Sequence, residues 1–313
     1  MPSEATKIRD PSVATSLLVW CVLGLSGFWG LAGCRKNLPP FDGDHAYEYL
    51  IKQCDLGPRV PGTESHAACL RFLTDELRRF GGRVFHQEFT EQPTGFAAPV
   101  KMTNIIASFA VDKTSRVLLC AHWDSRPWAD ADPDSSNRHK AVTGANDGAS
   151  GVAILLEIAR NISLSAPAYG VDIILFDGED VGRPGTEDSY ARGAQFFARN
   201  KNENFRPRFG ILLDMVGDSD LRIYQEANSL RQAGQVVRKV WQRAADLGLS
   251  SFKDSPKYEV NDDHVYLLQA GIPCIDLIDF DYEPWHTVKD TPDKCSAESL
   301  TEVGTLLLSL IYD

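Results

Sequence analysis

Five side chains of metal-binding type are spread along this chain: His122 in AHWDS, Asp147 in GANDGASG, Asp180 in DGED, Asp214 in LLDMVG and His286 in PWHT. Most stand where an apolar run gives way to polar residues. Imidazole and carboxylate groups are zinc ligands, and a catalytic zinc keeps one position open for substrate. A parallel α/β sheet collects such groups at the carboxyl ends of its strands. The set therefore points to a metalloenzyme using Lewis-acid chemistry.

Taken singly, each signal is weak. His122 could be a hydrogen-bonded surface residue, but Asp124 follows two positions on and can orient it or the metal shell. Asn146-Asp147-Gly148 alone reads as a turn. Here GASG runs straight into a helical pattern, whose first amides could support the Asp147 carboxylate. Asp177, Glu179 and Asp180 follow VDIILF. Three carboxylates so close repel one another, which suggests a cation holding them together. Asp214 follows ILL and costs desolvation without a partner. His286 lies beside Trp285 in a loop rich in proline and aromatics. Solvated turns explain any one of these, but not all five in this order.

The elements that must position them can be read from periodicity. Helices are expected around 44–55 and 63–80, the second with Ala67, Leu70, Leu73, Leu77 and Phe80 at helical spacing. Strands follow at 83–89 and 104–110. Strands and helices then alternate: strand 117–121, helix 151–162, strand 171–176, helix 189–200, strand 209–213, helix 230–247, strand 273–278 and helix 297–312. This alternation predicts an α/β fold, a single three-layer domain with a mostly parallel mixed sheet and helices on both faces. The polar stretch 124–146 has no element pattern, and a segment this long is usually functional. It separates two candidate ligands and should wall the site.

The chain has 313 residues, 43% of them hydrophobic, and a net charge of −11. No basic run exists, so nucleic acid is not an expected partner. Lys7 and Arg9 precede an apolar run from about Val13 to Gly33 that ends in Leu31-Ala32-Gly33-Cys34. This has the form of a secretory signal. LAGC resembles the bacterial lipoprotein box, which implies cleavage before Cys34 and a lipid on its thiol. The rival is an uncleaved membrane helix, since the run is about the ~20 residues a span needs. Either way the catalytic part lies outside the cytoplasm. The expected organisation is a signal over 1–33, a lipidated Cys34 with linker over 34–43, and a catalytic domain over 44–313. The expected location is the bacterial cell envelope. Cys54, Cys69, Cys120, Cys274 and Cys295 lack any CxxC spacing, which rules out a cysteine zinc site. Cys120 reads as a small buried hydrophobe, and a Cys274–Cys295 bridge is left open.

The ordered ligands resemble the zinc aminopeptidase-like superfamily. In its two-metal members Asp147 would be shared, with Asp180 and His286 on one ion and His122 and Asp214 on the other. Glu179 matches the general base. The chain is more similar still to glutaminyl cyclases of the animal type and their bacterial relatives. AHWDSRPWADADPD, GANDGASGVAILLEIAR, FDGED, LLDMVGD, DDHVYLLQAGIPCIDLI and PWHT carry that resemblance. It runs from about residue 40 to the C-terminus. It implies one zinc on Asp147, Asp180 and His286, and an acid pair, Asp214 and Asp262, sharing a proton. His122 and Asp124 then support the site or serve a second metal. The implied reaction is transfer of the γ-acyl group of an N-terminal Gln to its own amine, giving pyroglutamate and ammonia. Trp285, Phe280 and Trp128 are the expected pocket walls. The family's Trp shortly after its Glu pair is missing from VGRPGTEDSY, and Tyr190 is the candidate replacement. The rivals are a two-zinc aminopeptidase, in which Glu179 activates water, and a receptor domain that has lost its metal.

Overall fold

The computed structural model describes residues 40–313. The proposed signal, Cys34 and most of the linker lie outside the described residues. Helices α1 (Gly43–Asp55) and α2 (Glu64–Arg79) come first, capped by Asp42 and Thr63 accepting amides of their first turns. Strands β1 (Arg83–Glu91) and β2 (Val100–Phe109) form a hairpin. Then follow β3 (Arg116–His122), α3 (Gly151–Leu164), β4 (Gly170–Phe176), α4 (Arg192–Asn200) and β5 (Gly210–Asp214). The chain continues through β6 (Ile223–Gln225), α5 (Ala227–Leu247), β7 (Phe252–Pro256), α6 (Asp263–Gln269), β8 (Cys274–Ile278) and α7 (Ala297–Tyr312).

The main sheet has the order β1-β2-β4-β3-β5-β8. Strands β4, β3, β5 and β8 run parallel, and the β1–β2 hairpin joins β4 antiparallel. This is the mostly parallel mixed sheet that the alternating pattern predicts. Alternate residues of each parallel strand enter separate cores. Val117, Leu119, Ile173, Leu175, Ile211, Leu213, Ile275 and Leu277 pack on one face with residues of α1, α2, α3, α5 and α7. Leu118, Cys120, Ile174, Phe176, Leu212 and Cys274 pack on the other with residues of α4 and α6. Period-2 alternation with both faces apolar is what a sheet buried between helices requires.

Three elements are additional to the sequence expectation: α6 and the small parallel β6–β7 pair. One pairing that the sequence left open is decided. Cys274 and Cys295 are not bridged, and all five described cysteines are free. Cys274 packs in the α4/α6 core and Cys295 in the opposite one. Two cysteines on opposite faces of a sheet cannot meet disulfide geometry. Cys120 is fully buried, as its apolar run suggests.

Strand direction fixes the site. Parallel β3, β4, β5 and β8 all end on one edge, at His122, Phe176, Asp214 and Ile278. The loops that follow therefore converge there.

Candidate active site

Asp147 sits just before α3, in a turn held from beneath. The Asp290 carboxylate accepts the amides of Asn146 at 2.9 Å and Asp147 at 3.2 Å. Asn146 Oδ1 accepts the Gly217 amide at 2.7 Å, tying this turn to the segment after β5. The expected support of the Asp147 carboxylate by helix-start amides is not found among the described residues. Its backbone is fixed instead, and its carboxylate faces His122 Nε2 at 3.1 Å. Gly148 is needed at this point, because a Cβ there would lie 2.6 Å from the His122 ring.

Glu179 and Asp180 stand on the turn after β4, where Gly178 takes a φ of 73°. Asp124 holds this turn: its two oxygens accept the amides of Glu179 at 3.0 Å and Asp180 at 3.1 Å. Asp124 lies 3.5 Å from His122 Nδ1, so it contacts His122 as well, but its better bonds go to the acidic turn. Asp177 faces away from the site, accepting the Thr103 amide and approaching His66 Nε2 at 3.0 Å.

His286 completes the group. Its Nε2 is 3.2 Å from Asp180 Oδ1 and 3.6 Å from Asp147 Oδ2, while its Nδ1 faces Asp130 Oδ1 at 3.6 Å. The Trp285 ring stacks on it at 3.8 Å between centroids. His286 has a φ of 55° and Met215, just after Asp214, 47°. Left-handed backbone costs a residue with a Cβ ~1–2 kcal/mol, and such strain tends to collect at functional sites.

Two ligand groups thus form. Asp147, Asp180 and His286 place donor atoms within 4.8 Å of one another, and so do His122, Asp147 and Asp214. The first trio fits a metal on an independent observation: Asp180 Oδ2 is buried with no hydrogen-bond partner. Two carboxylates and one imidazole make a three-ligand donor set of the kind that holds a catalytic zinc. Asp130 behind His286 is the kind of outer contact that orients a ligating histidine.

Electrostatics divide the acids. Burial works against the Asp180 charge, but His286 and Arg126 together hold it down to about 2. Burial and the Asp180 charge push Asp147 up to about 7. Burial and Asp262 push Glu179 well above the usual carboxyl range. Burial and Asp214 push Asp262 up to about 8. Asp214 Oδ1 itself faces His122 Nε2 at 3.3 Å, and no Asp214–Asp262 hydrogen bond is found among the described residues. The pair is coupled by charge.

These groups line a cavity of about 510 Å³, together with Tyr190, Phe280 and Trp285. Tyr190, the candidate replacement for the missing Trp, is part of this lining. Trp128 does not line the cavity: the Arg183 guanidinium covers its ring at 3.3 Å and Phe96 packs on it edge-on. The stretch 124–146 walls the site through Asp130 and Ala131.

Several supporting residues were not foreseen. Arg126 is buried, donating to Asp180 Oδ1 at 2.8 Å and the Asp180 carbonyl at 3.0 Å, with Asp130 on its other edge. Arg59 is fully buried and binds the carbonyls of Trp123, Thr143 and Gly144, closing the ends of the 124–146 stretch on each other. Asp290 was also missed. An arginine after a histidine-bearing strand was the available signal for Arg126. Nothing local marks Arg59 or Asp290.

The model of Peptidase family M28 matches residues 104–311. A glutaminyl cyclase of Tannerella forsythia is 43% identical, with a TM-score of 0.84 over 88% of this chain and 99% of that one. A glutaminyl cyclase of Bacteroides thetaiotaomicron bound to N-acetylhistamine is 40% identical, with a TM-score of 0.85 and the same coverage. The glutaminyl-peptide cyclotransferase of Bos taurus is 23% identical over 83% of this chain and 81% of its own length. The chain belongs to Peptidase family M28, on its glutaminyl cyclase branch.

Proposed function

We propose that this protein is a zinc-dependent glutaminyl-peptide cyclotransferase, converting N-terminal Gln of peptides or proteins to pyroglutamate with release of ammonia. Asp147, Asp180 and His286 would hold the zinc. Bound there, the ion supplies Lewis-acid polarisation of the γ-carbonyl. Glu179 takes a proton from the α-amine, which attacks the γ-carbon, and returns it to the departing nitrogen. Burial raises its proton affinity toward the range where one group can do both. Asp262, an acid raised by burial and the Asp214 charge, lies beside Asp214 in the cavity and steadies the leaving nitrogen. Trp285, Phe280 and Tyr190 pack on the Gln methylenes, exclude water and confine the side chain in its cyclising conformation.

The observation that carries this reading is Asp262. It lines the cavity beside Asp214, and burial with the Asp214 charge raises its carboxyl to about 8, so Asp262 can stand as a neutral acid beside the reacting groups. The rival two-zinc aminopeptidase is supported by the convergence of His122, Asp147 and Asp214. Product chemistry separates them. A Gln-peptide should lose the mass of ammonia and become resistant to aminopeptidases, and a Leu-peptide should survive. Release of free Gln, or efficient cleavage of the Leu-peptide, favours the rival. We extend the proposal to location: a lipoprotein of the bacterial envelope, anchored through Cys34.

A further inference from the structure

Trp128 does not line the cavity, yet the group stacked on its ring reaches the cavity mouth. The Arg183 guanidinium lies 3.3 Å from the ring centroid, and Phe96 meets the same ring edge-on at 5.8 Å. Arg183 Nε donates to the Thr94 carbonyl at 3.2 Å. Gly95 has a φ of 96°, and a Cβ there would overlap the guanidinium and crowd the Trp128 ring. One half-buried side chain thus joins three segments: the connection between β1 and β2, the 124–146 stretch and the loop after β4. Arginine suits this position, because its flat guanidinium stacks on an indole face while its edge still donates hydrogen bonds.

The turn that Arg183 opens is closely specified. The Thr186 amide donates to the Arg183 carbonyl at 3.0 Å, across Pro184 and Gly185. Gly185 has a φ of 78°, so a proline and a left-handed glycine fill the two central positions, as a type II turn favours. Ser189 Oγ accepts the Arg183 amide at 2.8 Å and donates to the Thr186 carbonyl at 2.5 Å. Gly182 lies against Tyr190, where a Cβ would overlap the phenol ring. Pro184, Gly185 and Tyr190 all line the cavity, and Arg183 does not. Pro184 and Gly185 are exposed, while Asp147, Asp180 and His286 are buried. The turn stands at the mouth and the metal-type residues at the floor.

We infer that Arg183 is a positioning residue for substrate selection, holding the Pro184–Gly185 turn against the residue that follows the N-terminal Gln. This role rests on the cyclotransferase reading. With the Gln side chain among the buried acids, the rest of the peptide leaves through the mouth, and its second residue passes the turn. The Pro184 ring is an apolar, uncharged surface there, so the substrate class it favours carries a large apolar second residue. Arg183 acts through the turn, clamped by Trp128 on one side and the Thr94 carbonyl on the other.

The test compares the full chain with Arg183→Ala and Trp128→Ala on two substrates, glutaminamide and a Gln-Phe-Ala peptide. Wild type should show the lower KM for the peptide. Each variant should raise the peptide KM by roughly 3–10-fold and leave kcat and the glutaminamide KM near wild type, the pattern of lost binding away from the reacting centre. Zinc content should not change, and amide hydrogen exchange over residues 183–189 should quicken in both. Arg183→Lys keeps a cation over the ring without the flat stack and should fall between wild type and Arg183→Ala. A peptide KM unchanged in both alanine variants overturns the inference. So does an equal rise for glutaminamide, or a loss of zinc, since either would place the effect at the floor. A wild type that forms no pyroglutamate refutes the cyclotransferase reading and this role with it, whereas a failure confined to the variants refutes this role alone.

Discussion

Glu179 and Asp180 are neighbours in one turn, yet their surroundings shift their carboxyls in opposite directions. Asp180 is held ionised at about 2 by His286 and Arg126 against its burial. Glu179 is pushed up by burial and Asp262. Glu179→Gln keeps shape but cannot accept a proton. It should retain zinc and bind a Gln-peptide, with turnover lower by roughly 10²–10⁴-fold, the usual loss for a general acid–base group. Asp180→Asn should lose zinc and activity together. Steady-state kinetics beside elemental analysis would expose a reversed assignment at once. Asp147 adds a pH dependence. Its metal-free carboxyl, raised by burial and Asp180, takes up a proton below about pH 7. Zinc needs the carboxylate, so binding must expel that proton. Zinc affinity of the metal-free protein should therefore hold above pH 7 and fall by about tenfold per unit below it. Competition with a chelating dye from pH 8 to 5.5 measures this, and a flat profile refutes it. The metal-type residues were legible because each breaks an apolar run. Arg59 and Asp290 were not, because a buried backbone-binding side chain leaves no periodic trace.

Among the elements, long apolar runs were readable and short polar ones were not. The buried strands β3, β4, β5 and β8 each show five to seven buried positions in a row. By contrast β6 has three residues, and β7 is FKDSP, with two charges and a proline. Helix α6 has seven residues, too few for a helical period to emerge. These fragments still matter, since α6 carries Asp262 at its cap and His264 in its first turn. The 124–146 stretch was legible as a wall but not in its fastening. Arg126 pins it to Asp180 with side chains 0% and 1% exposed. Removing one member of a buried ion pair leaves the other unpaired, at a cost of ~3–5 kcal/mol. Arg126→Ala should lower unfolding stability by about that amount. It should also weaken zinc binding, because Asp180 loses the donor that aims it. Urea unfolding with and without zinc checks both. A variant as stable as wild type would mean that the loop is held by Arg59 alone.

At the scale of the whole molecule, the candidate ligands gather at one edge of one sheet, and the proposed envelope location rests on the N-terminal run. The fold class followed from alternation alone, because a parallel sheet must be covered on both faces. The proposed location rests on different physics. The run from Val13 to Gly33 closes on Leu31-Ala32-Gly33-Cys34, small residues where a cleavage site belongs. A lipid on Cys34 would tether the catalytic unit to a membrane surface without a helix spanning it. The residues between Cys34 and Phe41, where the chain joins the core ahead of α1, would act as the spacer. Expressed in a bacterium, the wild-type protein should therefore fractionate with membranes and be released by detergent. Cys34→Ser removes the thiol that carries the lipid, and the protein should accumulate as an unprocessed precursor of higher mass. Mass spectrometry of the N-terminal peptide separates the outcomes: diacylglyceryl on Cys34 in wild type, intact Met1 in the variant. A Cys34→Ser protein that is still cut and still membrane-bound would show that the apolar run, and not the cysteine, holds the enzyme in place.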